Sequence, residues 1–240
     1  MGLGAVAWAV MAVAAVVMGF SKTAIGNVAL LGVVALAQVL PAKDSTGVAL
    51  LLLLVGDAVA TVTYRKSADW PVIGRLILPV AVGLGLGAVF LHVTSDSVLK
   101  KTIGAIILAL LLLGLRPDKL GVQRPAVAAG YGGLAGFTTM VANAGGPAMS
   151  LYLLAARFDK LRFLGTSAWF FAAVNVTKLP ISIGLGLVRP DTALIALPLA
   201  PAVLLGTAIG RRVVQRLDQK TFTALIMIFV AISALYLIAS

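Results

Sequence analysis

Ten long apolar runs, separated by short polar breaks, leave this chain few ways to fold. They cover about residues 3–19, 24–40, 46–64, 71–92 and 98–115, then about 124–141, 144–156, 163–187, 192–210 and 220–239. Water is the wrong solvent for them. Of the residues, 61% are hydrophobic and 11% charged, against about 25% charged in soluble domains. Even compact domains of roughly 250 residues leave about a quarter of their unfolded surface exposed. Lipid removes the conflict, and in lipid each segment must satisfy its own backbone polar groups, which a helix does. The expected fold class is therefore all-α, a polytopic transmembrane helical bundle.

A helix needs roughly 20 residues to cross the hydrocarbon core. Segments 3–5 and 8–10 reach or approach that length, whereas segments 1, 2, 6 and 7 are shorter and segment 7 has about 13 residues. Short segments paired around glycine-rich breaks suggest broken or re-entrant helices at 1–2 and 6–7. Complete but tilted or thin spans are the alternative. The first run lacks a basic leading region and continues into GFSKT rather than a small-residue cleavage site. It reads as mature protein rather than signal peptide.

Charge gives the orientation. With the N-terminus outside and every segment reversing the chain, 13 of 19 basic residues fall inside: Arg65, Lys66, Arg75, Arg116, Lys119, Arg124, Arg157, Lys160, Arg162, Arg211, Arg212, Arg216 and Lys220. Lys43, Lys100, Lys101 and Arg189 fall outside, while Lys22 and Lys178 lie within or between apolar segments. This bias fits the positive-inside rule and a multi-pass protein of a bacterial inner membrane. The net charge of +11 is scattered between apolar runs, so nucleic acid is not an expected partner. With no cysteine and a single histidine, His92, no metal site or cofactor is expected. No convincing Ser–His pair and no paired carboxylates are present, so the chain does not read as an enzyme.

The two halves match. Gly19-Phe20 pairs with Gly136-Phe137 at an offset of 117, and Gly47 with Gly165 and Asp57 with Asn175 at 118. Asp69 with Asp191, Pro79 with Pro201 and Asp96 with Asp218 match at 122. The reading is two repeats, residues 1–117 and 118–240, each of about five hydrophobic segments and together forming one transport domain. Consecutive repeats with an odd number of spans must be upside down relative to each other, as in many secondary transporters. Such inverted-topology repeats place the substrate near the midplane, where broken helices meet.

The richest chemistry lies at the breaks. The first offers Ser21, Lys22, Thr23 and Asn27; the second offers Thr138, Thr139, Asn143, Gly145 and Gly146, with Pro147 suited to an early helix position. A helix starting after each break would present free N–H groups and a positive dipole end, which suits an oxyanion. Ordinary tight turns, with hydroxyls bonded to their own backbone, are the alternative. Lys22 could supply fixed positive charge or could snorkel to the headgroups. Asp57 lies midway along segment 3, opposite Asn175 in the repeat, with Lys178 one turn further on. Intramembrane ionisable residues are functional candidates by default. The expectation is that Asp57 and Lys178 face the cavity, paired, with Asp57 as a coupling site, or form a static ion pair. Ser45, Thr46, Thr166 and Ser167 could extend the polar path or cap helices.

The stretches GFSKT, PAKDSTG with the following VGD, ADW, GFTTMVANAGGP, GTSAWFF and NVTKLP together resemble the TauE/SafE sulfite exporter family. The resemblance covers nearly the whole chain. It implies transport, usually export, of sulfite or small organosulfur anions such as sulfonates. The expected partners are thus a small inorganic or organosulfur anion and the lipid bilayer, and a homo-oligomer is compatible with the sequence. No ATP-binding motif is present, so the expected mechanism is secondary transport by alternating access. An anion channel and a non-transporting membrane subunit are the rivals.

Overall fold

In a computed structural model, the structure describes residues 4–90 and 124–239. Segment 5, the end of segment 4, His92, Asp96, Lys100, Lys101, Arg116, Lys119 and the junction between the two repeats lie outside the described residues. Among the described residues there are helices and no strand. In chain order they are α1 (Ala5–Thr23), a 3-10 turn (Gly26–Val28), α2 (Ala29–Val39), α3 (Ala42–Tyr64) and α4 (Trp70–Phe90). Then come α5 (Pro125–Ala142), α6 (Gly146–Ala155), α7 (Lys160–Gly184), α8 (Pro190–Ala196), a second 3-10 turn (Leu197–Leu199), α9 (Ala200–Arg216) and α10 (Gln219–Ala239).

Among the described residues, five helical stretches are long and apolar enough to cross a membrane: Ala5–Thr23, Lys43–Tyr64, Trp70–Phe90, Pro190–Arg216 and Gln219–Tyr236. Helix α7 has the length, at 25 residues, but Lys160, Arg162, Asn175 and Lys178 make it more polar. The outward faces are apolar, with Val6, Val13, Val62, Leu78, Leu194 and Leu197 all more than 60% exposed. A large exposed apolar surface marks a membrane or partner contact.

Several boundaries differ from the sequence reading. Segment 3 begins at Ala42, because Pro41 is ideally placed just before a first turn. Segment 8 begins at Lys160 rather than 163, because Asp159 accepts hydrogen bonds from the Leu161 and Arg162 N–H groups at 3.0 and 3.1 Å and so starts the helix early. Ser45, Thr46, Thr166 and Ser167 therefore sit inside helices rather than at their N-cap positions.

The described chain forms two compact units, Met1–Lys66 with Ala168–Leu217, and Ser67–Ser167 with Asp218–Ser240. Each unit draws on both sequence halves. In the first, Met11, Ala14, Ala15 and Met18 of α1 pack with Leu36 of α2, Val48 and Leu52 of α3, and Leu199 and Val203. In the second, α4 packs on α5 and α6 on α10, with edge-on aromatic contacts Phe90–Phe137 and Phe163–Phe222.

Each unit contains one very close helix pair, and the two pairs match residue by residue. In the first unit α1 lies on α9: a Cβ on Gly19 would overlap the Val203 carbonyl, and one on Gly206 would overlap the Val16 carbonyl and the Phe20 nitrogen. In the second unit α5 lies on α4: a Cβ on Gly136 would overlap the Val80 carbonyl, and one on Gly83 would overlap the Gly133 carbonyl and the Phe137 nitrogen. Gly19, Val16 and Phe20 map onto Gly136, Gly133 and Phe137 at 117, while Val80 and Gly83 map onto Val203 and Gly206 at 123. Small residues let helix backbones touch where hydrophobicity gives no drive to associate.

An ion pair is repeated with its charges exchanged. Arg189 bonds Asp44 in the first unit, and Arg162 bonds Asp69 in the second. Asp44 maps onto Arg162 at 118, and Asp69 onto Arg189 at 120. Asp69 and Arg189 occupy the same place, each just before a helix: Asp69 accepts from the Val72 N–H at 3.0 Å, and Arg189 exchanges bonds with Thr192. The offset between matching residues then grows from 120 to 123 across the three-residue turn Leu197–Leu199.

Candidate functional site

The polar cluster of the first unit is built where α1 stops. Its last regular bond runs from the Ala24 N–H to the Phe20 carbonyl at 3.0 Å. Ala24 (φ −127°, ψ −81°) and Ile25 (φ −127°, ψ 96°) then leave the helical region before the 3-10 turn. A helix end leaves carbonyls without partners. Tyr64 answers one, its hydroxyl donating to the Thr23 carbonyl at 2.7 Å, and Thr23 Oγ1 donates to the Thr207 carbonyl at 2.8 Å. Gly210 leaves room for the Thr23 hydroxyl. These bonds fix the last turn of α1, which carries Lys22.

Lys22 reaches α3. Its stem crosses Gly56, where any Cβ would collide with it. Its Nζ lies 2.6 Å from Asp57 Oδ1 and 5.2 Å from the centre of the Phe171 ring, within cation–π range. Asn175 Nδ2 donates to Asp57 Oδ2 at 2.6 Å. Asp57 is 1% exposed. An isolated ion there would cost several kcal/mol, and Lys22 and Asn175 offset that cost from both carboxylate oxygens. The sequence reading paired Asp57 with Lys178; the structure shows Asp57 in an ion pair with Lys22. Lys178 stands three residues beyond the Asn175 that occupies the second oxygen.

Lys178 is fully buried, and Ser182 is 1% exposed. Asn175, Lys178 and Ser182 follow each other at spacings of three and four residues on α7, so they share one helix face. Pro180 lies between them and supplies no N–H, so the Val176 carbonyl loses its usual ladder donor. The cluster thus joins Lys22 and Asp57 from the first sequence half to Asn175, Lys178 and Ser182 from the second, all within one unit.

The hydroxyls of the breaks are engaged locally. Ser21 Oγ donates to the Met18 carbonyl at 2.7 Å, and Thr138 Oγ1 to the Leu134 carbonyl at 2.8 Å. With Thr23, their protons serve backbone carbonyls. Asn27 is buried in the 3-10 turn. Ser45 is buried and Thr46 half-buried on the first turns of α3.

The second break, between α5 and α6, belongs to the second unit. Asn143 takes the left-handed conformation (φ 53°, ψ 27°), which asparagine tolerates better than most residues. The Asn143 N–H donates to the Thr139 carbonyl at 3.1 Å and the Ala144 N–H to the Thr138 carbonyl at 3.2 Å, a Schellman closure. Gly145 and Gly146 then lead directly into α6, with Pro147 in its first turn. Thr139 is buried and Asn143 half-buried. Thr166 accepts the Asp69 N–H at 3.0 Å, and Ser167 is half-buried beside it.

Sequence reasoning missed Phe171, Gly56, Tyr64 as a helix-end donor, and Ser182. Ser182 was within reach, because its seven-residue spacing from Asn175 places it on the same face. The Tyr64 bond joins residues 41 apart and leaves no local signal. Residues 11–237 match the family described as Sulfite exporter TauE/SafE. No curated protein and no solved structure matches the chain.

Proposed function

We propose a function from one premise: the chain belongs to the sulfite exporter TauE/SafE family. It is a multi-pass membrane protein of a family of anion exporters. In our reading it is a secondary transporter that exports sulfite or a small organosulfur anion, such as a sulfonate, across a bacterial inner membrane by alternating access. The observation that carries this reading is the buried cluster of Lys22, Asp57, Asn175 and Lys178 among apolar helices. Ionised groups at membrane depth are costly and persist where they serve transport. Lys178 and Lys22 attract the anion and Asn175 orients Asp57. Asp57 is the coupling group, since its protonation would release Lys22. Within the second unit, the N–H groups near Gly145 and Gly146 with Thr139 and Asn143 are a second set of candidate donors.

An inverted repeat of residues 1–117 and 118–240 underlies the alternating access. The duplicated glycine contacts and the charge-exchanged ion pairs support it, because independent helices would not reproduce the same contacts residue by residue in the same chain order. The test is counterflow of labelled sulfite in proteoliposomes of purified protein. Saturable exchange that is stimulated by unlabelled anion on the far side is expected. Ohmic conductance without counterflow would make the protein a channel, and no flux of any anion would remove the transport reading.

A further inference from the structure

We infer that the joined ends of α3 and α9 bind the headgroup of an anionic phospholipid, through Arg65, Lys66, Arg211, Arg212 and Arg216. The inference stands on the membrane-spanning fold and not on the transport reading.

The two ends reach the same level. A hydrocarbon core of about 30 Å is crossed by roughly 20 helical residues. The stretch Lys43–Tyr64 has 22 residues and Pro190–Arg216 has 27. Arg65 and Lys66 follow the first stretch directly, and Arg211, Arg212 and Arg216 lie in the part of the second that exceeds a span. One residue of α1 ties these ends together within the first unit. Tyr64 donates to the Thr23 carbonyl, and the Thr23 hydroxyl donates to the Thr207 carbonyl. A Cβ on Gly210 would meet that same hydroxyl, and Arg211 lies within electrostatic reach of Tyr64.

The charge collected there is not balanced by the protein. All five basic residues are exposed, while Gly210 and Val214 turn inward. The carboxylates of this unit are engaged or placed elsewhere: Asp44 with Arg189, Asp57 with Lys22, and Asp191 in the first turn of α8. Asp218, two residues past Arg216, accepts from the Thr221 N–H. In the second unit, by contrast, Arg162 meets Asp69. The α9 macrodipole offers about half a negative charge at its C-terminus, too little for three arginines. Arg212 and Arg216 are four residues apart on one helix, where like charges repel. A phosphodiester between them would relieve that repulsion, and guanidinium groups bind phosphate through paired hydrogen bonds. Basic clusters at the ends of membrane helices recognise anionic headgroups in this way. Positive charge also directs insertion, but that role gives the finished protein no preference among headgroups.

The test counts lipids retained by the delipidated full chain in native mass spectra, from neutral detergent with equal amounts of phosphatidylglycerol and phosphatidylcholine. Wild type is expected to retain phosphatidylglycerol over phosphatidylcholine by about tenfold or more, since each basic residue near the surface contributes roughly fivefold. Arg211→Gln with Arg212→Gln and Arg216→Gln is expected to bring that ratio close to one. Arg75→Gln with Arg124→Gln and Lys220→Gln removes as many charges outside the cluster and is expected to leave the ratio unchanged. A wild-type ratio near one overturns the inference, and so does a ratio that the first variant keeps or that both variants lower equally. Excess inorganic phosphate is expected to leave the lipid bound; displacement would assign the cluster to a soluble anion and overturn the inference as well. If the first variant does not fold, Arg65→Gln with Lys66→Gln, beyond the end of α3, decides: the ratio is expected to fall, and an unchanged ratio overturns the inference.

Discussion

The breaks after α1 and after α5 occupy matched places in the two sequence halves, yet they are built differently. The first unwinds through two non-helical residues and a 3-10 turn; the second closes on left-handed Asn143 and restarts within three residues. Around them the helix packing is duplicated, with Gly19 on Val203 repeated as Gly136 on Val80. The chemistry is not duplicated. Lys22 of the first break holds a buried carboxylate, whereas Thr139 stands in its place in the second. The difference teaches that scaffold and site obey separate constraints. Backbone contact between helices admits only glycine and is met at both places, whereas a buried charged cluster would be costly to build twice.

The largest test of that contrast is removal of the charge. Lys22→Met strands Asp57 in a buried position and should cost about 3–5 kcal/mol, the usual loss when one partner of a buried pair is deleted. Thr139→Val at the matched position should cost about 1 kcal/mol, the worth of one hydrogen bond. Melting of the purified variants in detergent measures both, and equal losses would break the asymmetry.

Glycine substitutions probe the shared scaffold. Gly19→Ala and Gly136→Ala each drive a methyl into a backbone carbonyl and should each cost about 1–3 kcal/mol, as overpacking does. Similar losses in the two variants would sharpen the comparison. A severe loss in one with none in the other would show that the copies do not share their packing.

The exchanged ion pairs should matter less. The Arg189 and Arg162 side chains are 45% and 52% exposed while the Asp44 and Asp69 carboxylates are buried, so breaking either pair should cost about 1–2 kcal/mol, the worth of a hydrogen bond to a charged group. Reversing both charges, in Asp44→Arg with Arg189→Asp, should restore most of that loss, since the other copy already carries the opposite polarity.

The smallest effect lies at the exposed start of α10. The hydroxyl and backbone N–H of Thr221 hold the Asp218 carboxyl below its ordinary range. A depressed folded-state value gives stability that is present above the unfolded value and is lost as pH falls through the folded one. Asp218→Asn should therefore slightly flatten the acid side of a melting-temperature profile, and an unchanged profile would contradict that cap.

Much of the scaffold was legible. Long apolar runs can only be helices in lipid, and Gly19-Phe20 against Gly136-Phe137 already marked the duplicated contact. The ends were not, because Asp159 and Pro41 start helices earlier than the apolar pattern does. Asp57 and Asn175 stood out as polar residues at matched depth. Their partners did not, because whether Asp57 meets Lys22 or Lys178 depends on helix rotation and on the packing at Gly56, neither of which periodicity encodes. The exchanged ion pairs were hidden for a related reason: the offset between copies shifts by several residues around Leu197–Leu199, and matching by residue type aligned Asp69 with Asp191 rather than with Arg189.

The central claim is that the buried cluster of the first unit binds the transported anion. Titration of purified wild type and Lys178→Gln with sulfite, followed calorimetrically, tests it most directly. The account expects saturable binding in wild type and binding roughly tenfold or more weaker in the variant, with the variant still folded. Equal affinity in the two proteins would contradict it.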